Sequence, residues 1–311
     1  MVGDPIPYTG CPLDRAGDRR TQPAWLAARL TDPATAFVAV WRDSSHVTDT
    51  GEPRPVRLQG EAASLALELA EEVVFLGLET DSEEGEHAVF ALDLSGLADT
   101  EVLDAVGNQG TFQDLRRIGP QLDRADGALL AYARAVLRWH RGHRFCGRCG
   151  APTAAKDGGH VRICTRADCG VSHHPRTDPA VIMLVHDGRE HCVLGRQPRH
   201  PAGMHTVLAG FVEPGESLEE AVAREVAEEI GLTVEPPRYM GSQPWPFPAQ
   251  LMVGFHVQAP YAPLSVHPDE LERARWYHRD ELLRAPNDET FHLPRRDSIA
   301  RRLIDAWLAG A

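Results

Sequence analysis

The N-terminal 120 residues alternate between short apolar runs and polar turns, and two longer stretches carry apolar residues at helical spacing. The strand-like runs are Ala36–Trp41, Val73–Leu78 and His87–Leu94, where apolar and β-branched residues cluster between turn formers. The helical stretches are Glu61–Glu72 and Gln121–His140, in which apolar residues recur every three or four positions. The pattern therefore predicts strands and helices in this half of the chain.

The C-terminal half shows the same mixture of patterns. Residues 177–197 read TDPAVIMLVHDGREHCVLGRQ, which predicts two strands joined by an Asp-Gly turn at Asp187-Gly188. A further strand is expected at Leu251–Gln258 and a helix at Arg295–Leu308. The chain shows no repeat at solenoid period and no low-complexity tail.

A third helix is predicted after Ser217. Ser217 and Glu220 have the spacing of a capping box, and Gly231 suits a left-handed residue after the last turn. The helix carries an apolar stripe that would dock it on a core, formed by Leu218, Val222, Val226 and Ile230.

Three glutamates lie along this helix at positions i, i+3 and i+4, namely Glu225, Glu228 and Glu229, so they share one face. A helical wheel places Glu225 and Glu229 at the edge of the apolar stripe. Crowded carboxylates repel one another, and partial burial adds a desolvation cost. A hard divalent cation such as Mg²⁺ offsets both effects and also binds phosphates. The triplet alone would also fit an acidic, solvated helix.

Composition is that of a globular protein. The chain has 311 residues, of which 42% are hydrophobic and 25% charged, and its length favours two domains with a small insert. We find no apolar run long enough to cross a bilayer and no signal-peptide core in MVGDPIPYTGCPLDRAGDRR, so we expect no membrane association and a cytoplasmic location. The net charge of −13 disfavours a broad electrostatic grip on nucleic acid, while leaving room for a local basic pocket.

Four of the six cysteines are paired in sequence. Cys146 and Cys149 are followed by Cys164 and Cys169, an arrangement that favours a tetrahedral structural zinc site over disulfides in a cytosolic chain. Unligated thiols are the alternative. Cys11 and Cys192 lie apart and are expected to be ordinary buried thiols.

A proline-rich aromatic segment, SQPWPFP, occupies residues 242–248. Its three prolines stiffen the chain, and Trp245, Phe247 and Gln243 could stack on and hydrogen-bond to an aromatic ring. The alternative is a turn whose aromatic side chains fill the core.

The helix and its flanks match the Nudix box at every defined position. The matching residues are Gly210, Glu216, Arg224, Glu225, Val226, Glu228, Glu229, Gly231 and Leu232. The chain therefore resembles the Nudix hydrolases. The four-cysteine segment, the box and SQPWPFP together look like the NADH pyrophosphatases, also called NAD-capped RNA hydrolases. This resemblance covers the last 170 residues or so well and the first 120 in outline.

The resemblance implies an α+β fold built on the α/β/α Nudix sandwich. It implies an N-terminal Nudix-like domain over residues 1–120, a connecting helix over 121–140, a zinc ribbon over 141–175 and a catalytic Nudix domain over 176–311. The implied assembly is a homodimer.

The implied activity is hydrolysis of the pyrophosphate of NAD(H) to nicotinamide mononucleotide and AMP, with NAD-capped RNA as a further substrate. The implied cofactors are catalytic Mg²⁺ or Mn²⁺ and structural Zn²⁺.

The resemblance also implies site residues. The implied Mg²⁺ or Mn²⁺ ligands are Glu225, Glu228, Glu229 and Glu270, with Glu228 or Glu229 as catalytic base. The implied zinc ligands are Cys146, Cys149, Cys164 and Cys169. The implied substrate-binding residues are Phe211, Gln243, Pro244, Trp245, Pro246, Phe247, Pro248, Ala249, Gln250, His174 and Ala300. Gly210, Glu216, Arg224 and Gly231 are expected to support the box.

The sequence departs from the family pattern at three places. Ala249-Gln250 stands where a serine usually closes the aromatic motif, His174 replaces a tyrosine, and four residues separate the second cysteine pair. Two other functions remain open: a Nudix enzyme for another substrate, such as ADP-ribose or a diadenosine polyphosphate, and a zinc-bearing reader that binds a dinucleotide without turnover.

Overall fold

The computed structural model describes residues 6–49, 51–81 and 85–310, and the chain divides into two compact units. The N-terminal unit runs from Tyr8 to Arg176 and also contains Pro246–Ala249. The C-terminal unit contains a short N-terminal piece ending at Pro7, the segment Thr177–Trp245, and the chain from Gln250 onward.

The N-terminal unit has thirteen α-helices and β-strands among its described residues, besides two short 3-10 helices at Gly119–Gln121 and Asp157–Gly159. In chain order they are α1 (Pro23–Leu30), β1 (Ala36–Trp41), β2 (Ser44–Val47), α2 (Glu61–Leu69), β3 (Glu72–Asp81), β4 (Gly85–Asp93), α3 (Asp99–Ala105), β5 (Thr111–Asp114), α4 (Leu115–Ile118), α5 (Arg124–Gly142), β6 (Thr153–Lys156), β7 (Val161–Cys164) and β8 (Ser172–His173).

The first five strands of this unit form one mixed sheet in the order β3-β4-β1-β2-β5. Strand β1 runs parallel to β4, and the other neighbours are antiparallel. Alternate side chains of β1 point to opposite faces. Phe37 and Ala39 pack with the core that contains α2, whereas Val38 packs with Leu129 and Leu137 of α5. Helices therefore cover both faces of the sheet.

A small sheet follows α5, in the order β6-β7-β8. A buried polar network fixes it to the rest of its unit. Arg162 of β7 donates hydrogen bonds to Thr153 Oγ1 at 2.8 Å and to the Glu72 carboxylate. It also donates to Nδ1 of His140, whose Nε2 bonds to the Gly159 carbonyl at 2.7 Å. Because these groups are largely buried, losing one would leave its partners without hydrogen bonds.

The C-terminal unit contains the remaining elements. They are β9 (Asp178–His186), β10 (His191–Arg196), β11 (Leu208–Phe211), α6 (Leu218–Ile230), β12 (Arg238–Trp245), β13 (Gln250–Gln258), β14 (Arg273–His278), α7 (Arg279–Leu283) and α8 (Ile299–Leu308).

The sheet of this unit has the order β12-β13-β9-β10-β14, with β11 paired to β9. Strand β13 runs parallel to β9 over nine residue pairs. The order matches that of the N-terminal unit: a hairpin, then a strand parallel to its second arm, then two antiparallel strands. The N-terminal unit thus has the predicted Nudix-like topology, but α2, which reads EAASLALEL, lacks the glutamates of α6.

Both faces of the C-terminal sheet are buried. Val181 and Met183 of β9 pack against the apolar stripe of α6, whereas Ile182 and Leu184 pack against α8. This alternation explains the continuous apolar run in β9, since a strand covered on both faces needs no polar positions. The predicted α/β/α sandwich is confirmed.

Several element boundaries differ from the sequence-based expectations. The helix expected to reach Glu72 ends at Leu69, because Glu72 begins β3. The helix expected from Arg295 begins at Ile299, where Ser298 accepts a capping hydrogen bond from the Arg301 amide. The loop after β9 has four residues, 187–190, and the Asp187 carboxylate accepts from the amides of Arg189 and His191.

No helix in the described part of the chain is long and apolar enough to cross a membrane.

The packing of α6 is testable by truncating Ile230, whose side chain is fully buried. Ile230→Ala should lower the free energy of unfolding of the C-terminal unit by about 2–5 kcal/mol, since the cavity forms beneath a helix fixed at both ends. Denaturant titration measures this change. Leu283→Ala is the control, because Leu283 is 63% exposed and should change stability by less than about 0.5 kcal/mol. Equal effects would contradict the assigned packing.

Candidate active site and metal sites

Helix α6 is fixed at both ends by the residues that the sequence indicated. The Ser217 hydroxyl accepts from the Glu220 amide at 3.2 Å, and the Glu220 carboxylate accepts from the Ser217 amide at 2.7 Å. Gly231 ends the helix at φ 73°. A Cβ atom on Gly231 would lie 2.7 Å from the Ser265 side chain, so the following loop also requires glycine here.

Three carboxylates converge next to this helix. Oxygen atoms of Glu225, Glu229 and Glu270 all lie within 4.8 Å of one another. Glu270 comes from the loop after β13, which is held against the end of α6 by two backbone bonds: Ser265 N–H to the Ile230 carbonyl at 2.9 Å, and His267 N–H to the Glu229 carbonyl at 3.0 Å. Local backbone geometry thus brings the distant Glu270 to the helix, as the family resemblance implied.

Gly210, the first residue of the box, leaves space for the Glu225 carboxylate. A Cβ atom on Gly210 would lie 1.8 Å from the carboxyl carbon of Glu225. Strand β11 and α6 therefore approach closely only because position 210 has no side chain. The glycine is needed for steric room, and its backbone φ is not left-handed.

Burial and like charge make the carboxylate group costly without a cation. Glu229 is 2% exposed, and its Oε2 has no hydrogen-bond partner among the described residues. Burial, followed by the charges of Glu225 and Glu270, raises the pKa of Glu229 to about 8. Burial also raises the pKa of Glu225. An unsatisfied buried oxygen facing two further carboxylates suits a hard divalent cation with oxygen ligands.

Arg224 organises the outer side of the group and uses all five of its N–H donors. It binds both carboxylate oxygens of Glu216 at 2.7 and 3.0 Å, and it donates to Glu225 at 2.8 Å. The remaining donors reach Glu228 at 2.9 Å and the Phe211 carbonyl at 2.9 Å. The guanidinium of Arg224 accordingly lowers the pKa of Glu216.

Glu228 lies outside the carboxylate group. Its side chain is 51% exposed and forms an ion pair with Arg224, and it is not among the three residues whose oxygens converge. The helical spacing placed Glu228 on the same broad face, but the i+3 position turns it toward Arg224. Its assignment as a metal ligand stays a prediction.

The first part of SQPWPFP is strand rather than loop. Ser242–Trp245 belongs to β12 and pairs with β13, ending at Trp245 opposite Gln250. Gln243 is fully buried: its oxygen accepts from the Ile299 amide at 2.8 Å, and its NH₂ donates to the carbonyls of Asp297 at 2.8 Å and Pro7 at 3.3 Å. Its amide therefore ties β12 to the start of α8.

The tip of this hairpin belongs to the N-terminal unit. Pro246 is buried there, Phe247 and Ala249 are half-buried, and Pro248 is exposed. The Phe247–Pro248 peptide bond is cis. The Phe247 ring contacts Tyr8 edge-on, with 6.0 Å between the ring centroids.

The remaining predicted substrate residues differ in exposure. Phe211 directly follows Gly210 and its ring is 53% exposed, which leaves it available for stacking. Pro244, Trp245 and Gln250 are half-buried at the end of the β12–β13 hairpin, and Ala300 is buried in the first turn of α8. His174 is exposed within the N-terminal unit.

Arg199 is a residue near the site to which the sequence gave no firm role. Its positive charge lowers the pKa of Glu229, against burial and the charges of three other glutamates, which raise it. Arginines are common on surfaces, so the sequence alone gives no reason to assign Arg199 to the site.

The four cysteines predicted to bind zinc converge in the N-terminal unit. The sulfur atoms of Cys146 and Cys169 lie 3.9 Å apart, and those of Cys149 and Cys164 lie 3.4 Å apart. All four lie within 4.8 Å of one another, as four thiolates do around a tetrahedral zinc ion with bonds of about 2.3 Å. The longer second spacing is accommodated by the turn from Thr165 to Gly170.

His173 lies beside this group without belonging to it. Its Nε2 is 3.3 Å from the sulfur of Cys146, a distance at which an N–H group stabilises a thiolate. His173 is therefore placed to donate to the Cys146 sulfur and lies outside the group of four sulfur atoms.

Comparison with known families matches three consecutive segments. Residues 34–139 match the NADH pyrophosphatase-like rudimentary NUDIX domain, residues 141–173 match the NADH pyrophosphatase zinc ribbon domain, and residues 176–300 match the NUDIX domain.

Curated proteins resemble the chain over most of its length. The NAD-capped RNA hydrolase NudC of Mycobacterium tuberculosis is 42% identical, over 91% of this chain and 92% of that protein. The NAD-capped RNA hydrolase NUDT12 of Homo sapiens is 34% identical, over 95% of this chain and 72% of that protein. NudC of Stutzerimonas stutzeri is 45% identical, over 65% of this chain and 67% of that protein.

The raised pKa of Glu229 predicts a pH dependence of stability. In protein freed of divalent cations other than zinc, the folded state holds a proton on Glu229 up to pH about 8, whereas an unfolded glutamate loses it near 4.3. The free energy of unfolding should therefore fall as pH rises from about 5 to about 8. Glu229→Gln should flatten this fall, as measured by denaturant titration at several pH values. Identical pH profiles would contradict the assigned burial.

The thiol group predicts that zinc stabilises the N-terminal unit. Cys164→Ser should reduce bound zinc, measured by elemental analysis, and lower the melting temperature, because three thiolates and a hydroxyl bind zinc more weakly. Cys11→Ser is the control, since Cys11 lies outside the group. A zinc content unchanged by Cys164→Ser would show that the ion is bound elsewhere.

Proposed function

This chain belongs to the NADH pyrophosphatase family of Nudix hydrolases, and we propose that it hydrolyses the pyrophosphate bond of NAD(H) to give nicotinamide mononucleotide and AMP. We also propose that it removes NAD caps from RNA 5′ ends, the reaction for which its relatives are named.

The observation that carries this proposal is the convergence of Glu225, Glu229 and Glu270, together with a buried Glu229 oxygen that has no hydrogen-bond partner among the described residues. A protein that only displays an acidic helix has no need to bury Glu229 beside two other acids. A group that must hold a divalent cation does, because the cation offsets the repulsion and the desolvation cost.

The chemistry of the site follows from charge. A pyrophosphate carries negative oxygens that repel an incoming nucleophile. When bound, Mg²⁺ or Mn²⁺ supplies positive charge at the pyrophosphate and lowers the pKa of water. Glu225, Glu229 and Glu270 would hold the ion.

Two glutamates are candidates for accepting the proton of the attacking water. Glu229 is buried among the three carboxylates that would hold the ion, which would bring its carboxylate within reach of the attacking water. Glu228 is exposed and held by Arg224, so it could accept a proton at the mouth of the site or complete the ligand set. Arg224 orients Glu225 and Glu228 through charge-assisted hydrogen bonds.

Substrate recognition would come from the residues that remain accessible. The Phe211 ring is exposed next to the Gly210 position that borders Glu225, so it can stack on a base or nicotinamide ring. Trp245 and Gln250 close the β12–β13 hairpin and offer a second ring and an amide. Binding energy from such contacts positions the phosphorus for attack.

The remaining features of the proposal concern assembly and location. We propose that zinc bound by the four cysteines is structural, since four thiolates leave no open coordination position. We further propose functional domains over residues 1–120, 141–175 and 176–311 with a connecting segment over 121–140, a homodimeric assembly, and a cytoplasmic location.

The test compares substrates and a matched pair of variants. Purified protein with Mg²⁺ or Mn²⁺ should convert NADH to AMP and nicotinamide mononucleotide. Glu229→Gln should lower kcat/KM by at least about 100-fold, since it removes a ligand charge. Glu219→Gln changes an exposed glutamate of the same helix and should retain activity. Chromatography of the products measures both effects.

The same assay separates the alternatives. NAD⁺, ADP-ribose and an NAD-capped RNA are run in parallel, and their kcat/KM values rank the substrates. Turnover of ADP-ribose alone would overturn the NAD(H) assignment. Tight dinucleotide binding without turnover of any substrate would instead identify a reader protein.

A further inference from the structure

The tip of the β12–β13 hairpin is held by an arginine from the connecting helix. Arg134 of α5 is 7% exposed and donates its Nε–H to the Pro246 carbonyl at 2.8 Å. Both residues belong to the N-terminal unit. Because a buried arginine and a buried carbonyl satisfy each other here, removing either group leaves the other without a partner.

The aromatic residue of the tip is held by the same side chain. The Arg134 guanidinium lies over the Phe247 ring at 5.2 Å from its centroid, and that of Arg116 lies at 4.8 Å. Tyr8 contacts the ring edge-on. These contacts fix the Phe247 ring between two cations and one other aromatic ring, that of Tyr8.

Arg134 is itself fixed by Asp43. The Asp43 carbonyl accepts from Nη1 of Arg134, and the Asp43 carboxylate lies 3.7 Å from Nη2. Asp43 occupies the turn between β1 and β2 at φ 70°, and its carboxylate also pairs with Arg138 and Arg141. The guanidinium therefore contacts the turn on one side and the hairpin tip on the other, which restricts its rotamers.

We propose that Arg134 is a positioning residue for substrate recognition: it fixes Pro246 and Phe247 and thereby sets the direction in which Trp245 and Gln250 project. This inference rests on the proposed function for the role of Trp245 and Gln250. Pro246 follows Trp245 directly in the chain, so a shift of the tip is transmitted to Trp245 through one peptide bond.

The kinetic test uses a matched pair of arginines on α5. Arg134→Met keeps an unbranched apolar stem and removes the guanidinium with its donors. It should raise KM for NADH about tenfold while kcat changes by less than about threefold, since binding contacts remote from the phosphorus are lost. Arg138→Met is the control, because Arg138 pairs with the same Asp43 carboxylate but is exposed. Its KM should match that of the unaltered protein.

A conservative variant and a structural measurement exclude a general loss of stability. Arg134→Lys keeps a cation able to reach the Pro246 carbonyl and should recover part of the KM effect. Hydrogen exchange by mass spectrometry should show faster exchange in the peptide covering residues 245–252 of Arg134→Met, and not in Arg138→Met.

The outcomes separate this inference from the proposed function. If the unaltered protein does not hydrolyse NADH, the proposed function fails, while hydrogen exchange still tests whether Arg134 holds the tip. If the unaltered protein is active and Arg134→Met has unchanged KM and unchanged exchange, the positioning role is overturned. Equal losses in Arg134→Met and Arg138→Met would also overturn it, because they would trace the effect to Asp43.

Discussion

The proposed metal site depends on a cluster of like charges that the fold brings close together. Glu229 is buried, its Oε2 lacks a hydrogen-bond partner among the described residues, and Glu225 and Glu270 stand beside it. Three neighbouring residues hold the carboxylates together despite their mutual repulsion. Gly210 leaves space for Glu225, and Gly231 lets the loop that carries Glu270 approach α6. Arg224 binds an oxygen of Glu225. A divalent cation bound there would offset the repulsion between these carboxylates.

The two units share one sheet topology but differ in the polar residues that they carry. In both, helices cover the two faces of a mixed sheet with the same strand order. The C-terminal unit places five glutamates on α6, whereas α2 of the N-terminal unit has only Glu61 and Glu68 and lacks the adjacent Glu228-Glu229 pair of the box. In the N-terminal unit, polar side chains mainly hold elements together. Asp43 forms ion pairs with Arg138 and Arg141 of α5, and Arg162 of β7 donates to Glu72.

Sequence reasoning succeeded where the signal was local. The ends and the apolar stripe of α6 could be predicted from residues that are close in sequence, including Ser217, Glu220 and Gly231. The spacing of the four cysteines likewise predicted that their sulfur atoms lie together. Sequence reasoning was less successful where tertiary contacts determine which partner a side chain has. Gln243 and Phe247 carry groups that suit a ligand, but distant backbone and side chains occupy them in this structure, including Asp297, Ile299 and Tyr8. Glu228 shows the same limit, because helical spacing cannot tell whether a carboxylate turns toward a metal or toward Arg224.

The most direct test of the metal site is the number of protons released when Mn²⁺ binds near pH 7. Isothermal titration calorimetry in buffers of different ionisation enthalpy measures this number. Because the pKa of Glu229 is raised to about 8, the metal must displace its proton, and we expect release of nearly one proton per site, lost in Glu229→Gln. Binding of Mn²⁺ with no proton release, or with the same release in the variant, would contradict the account.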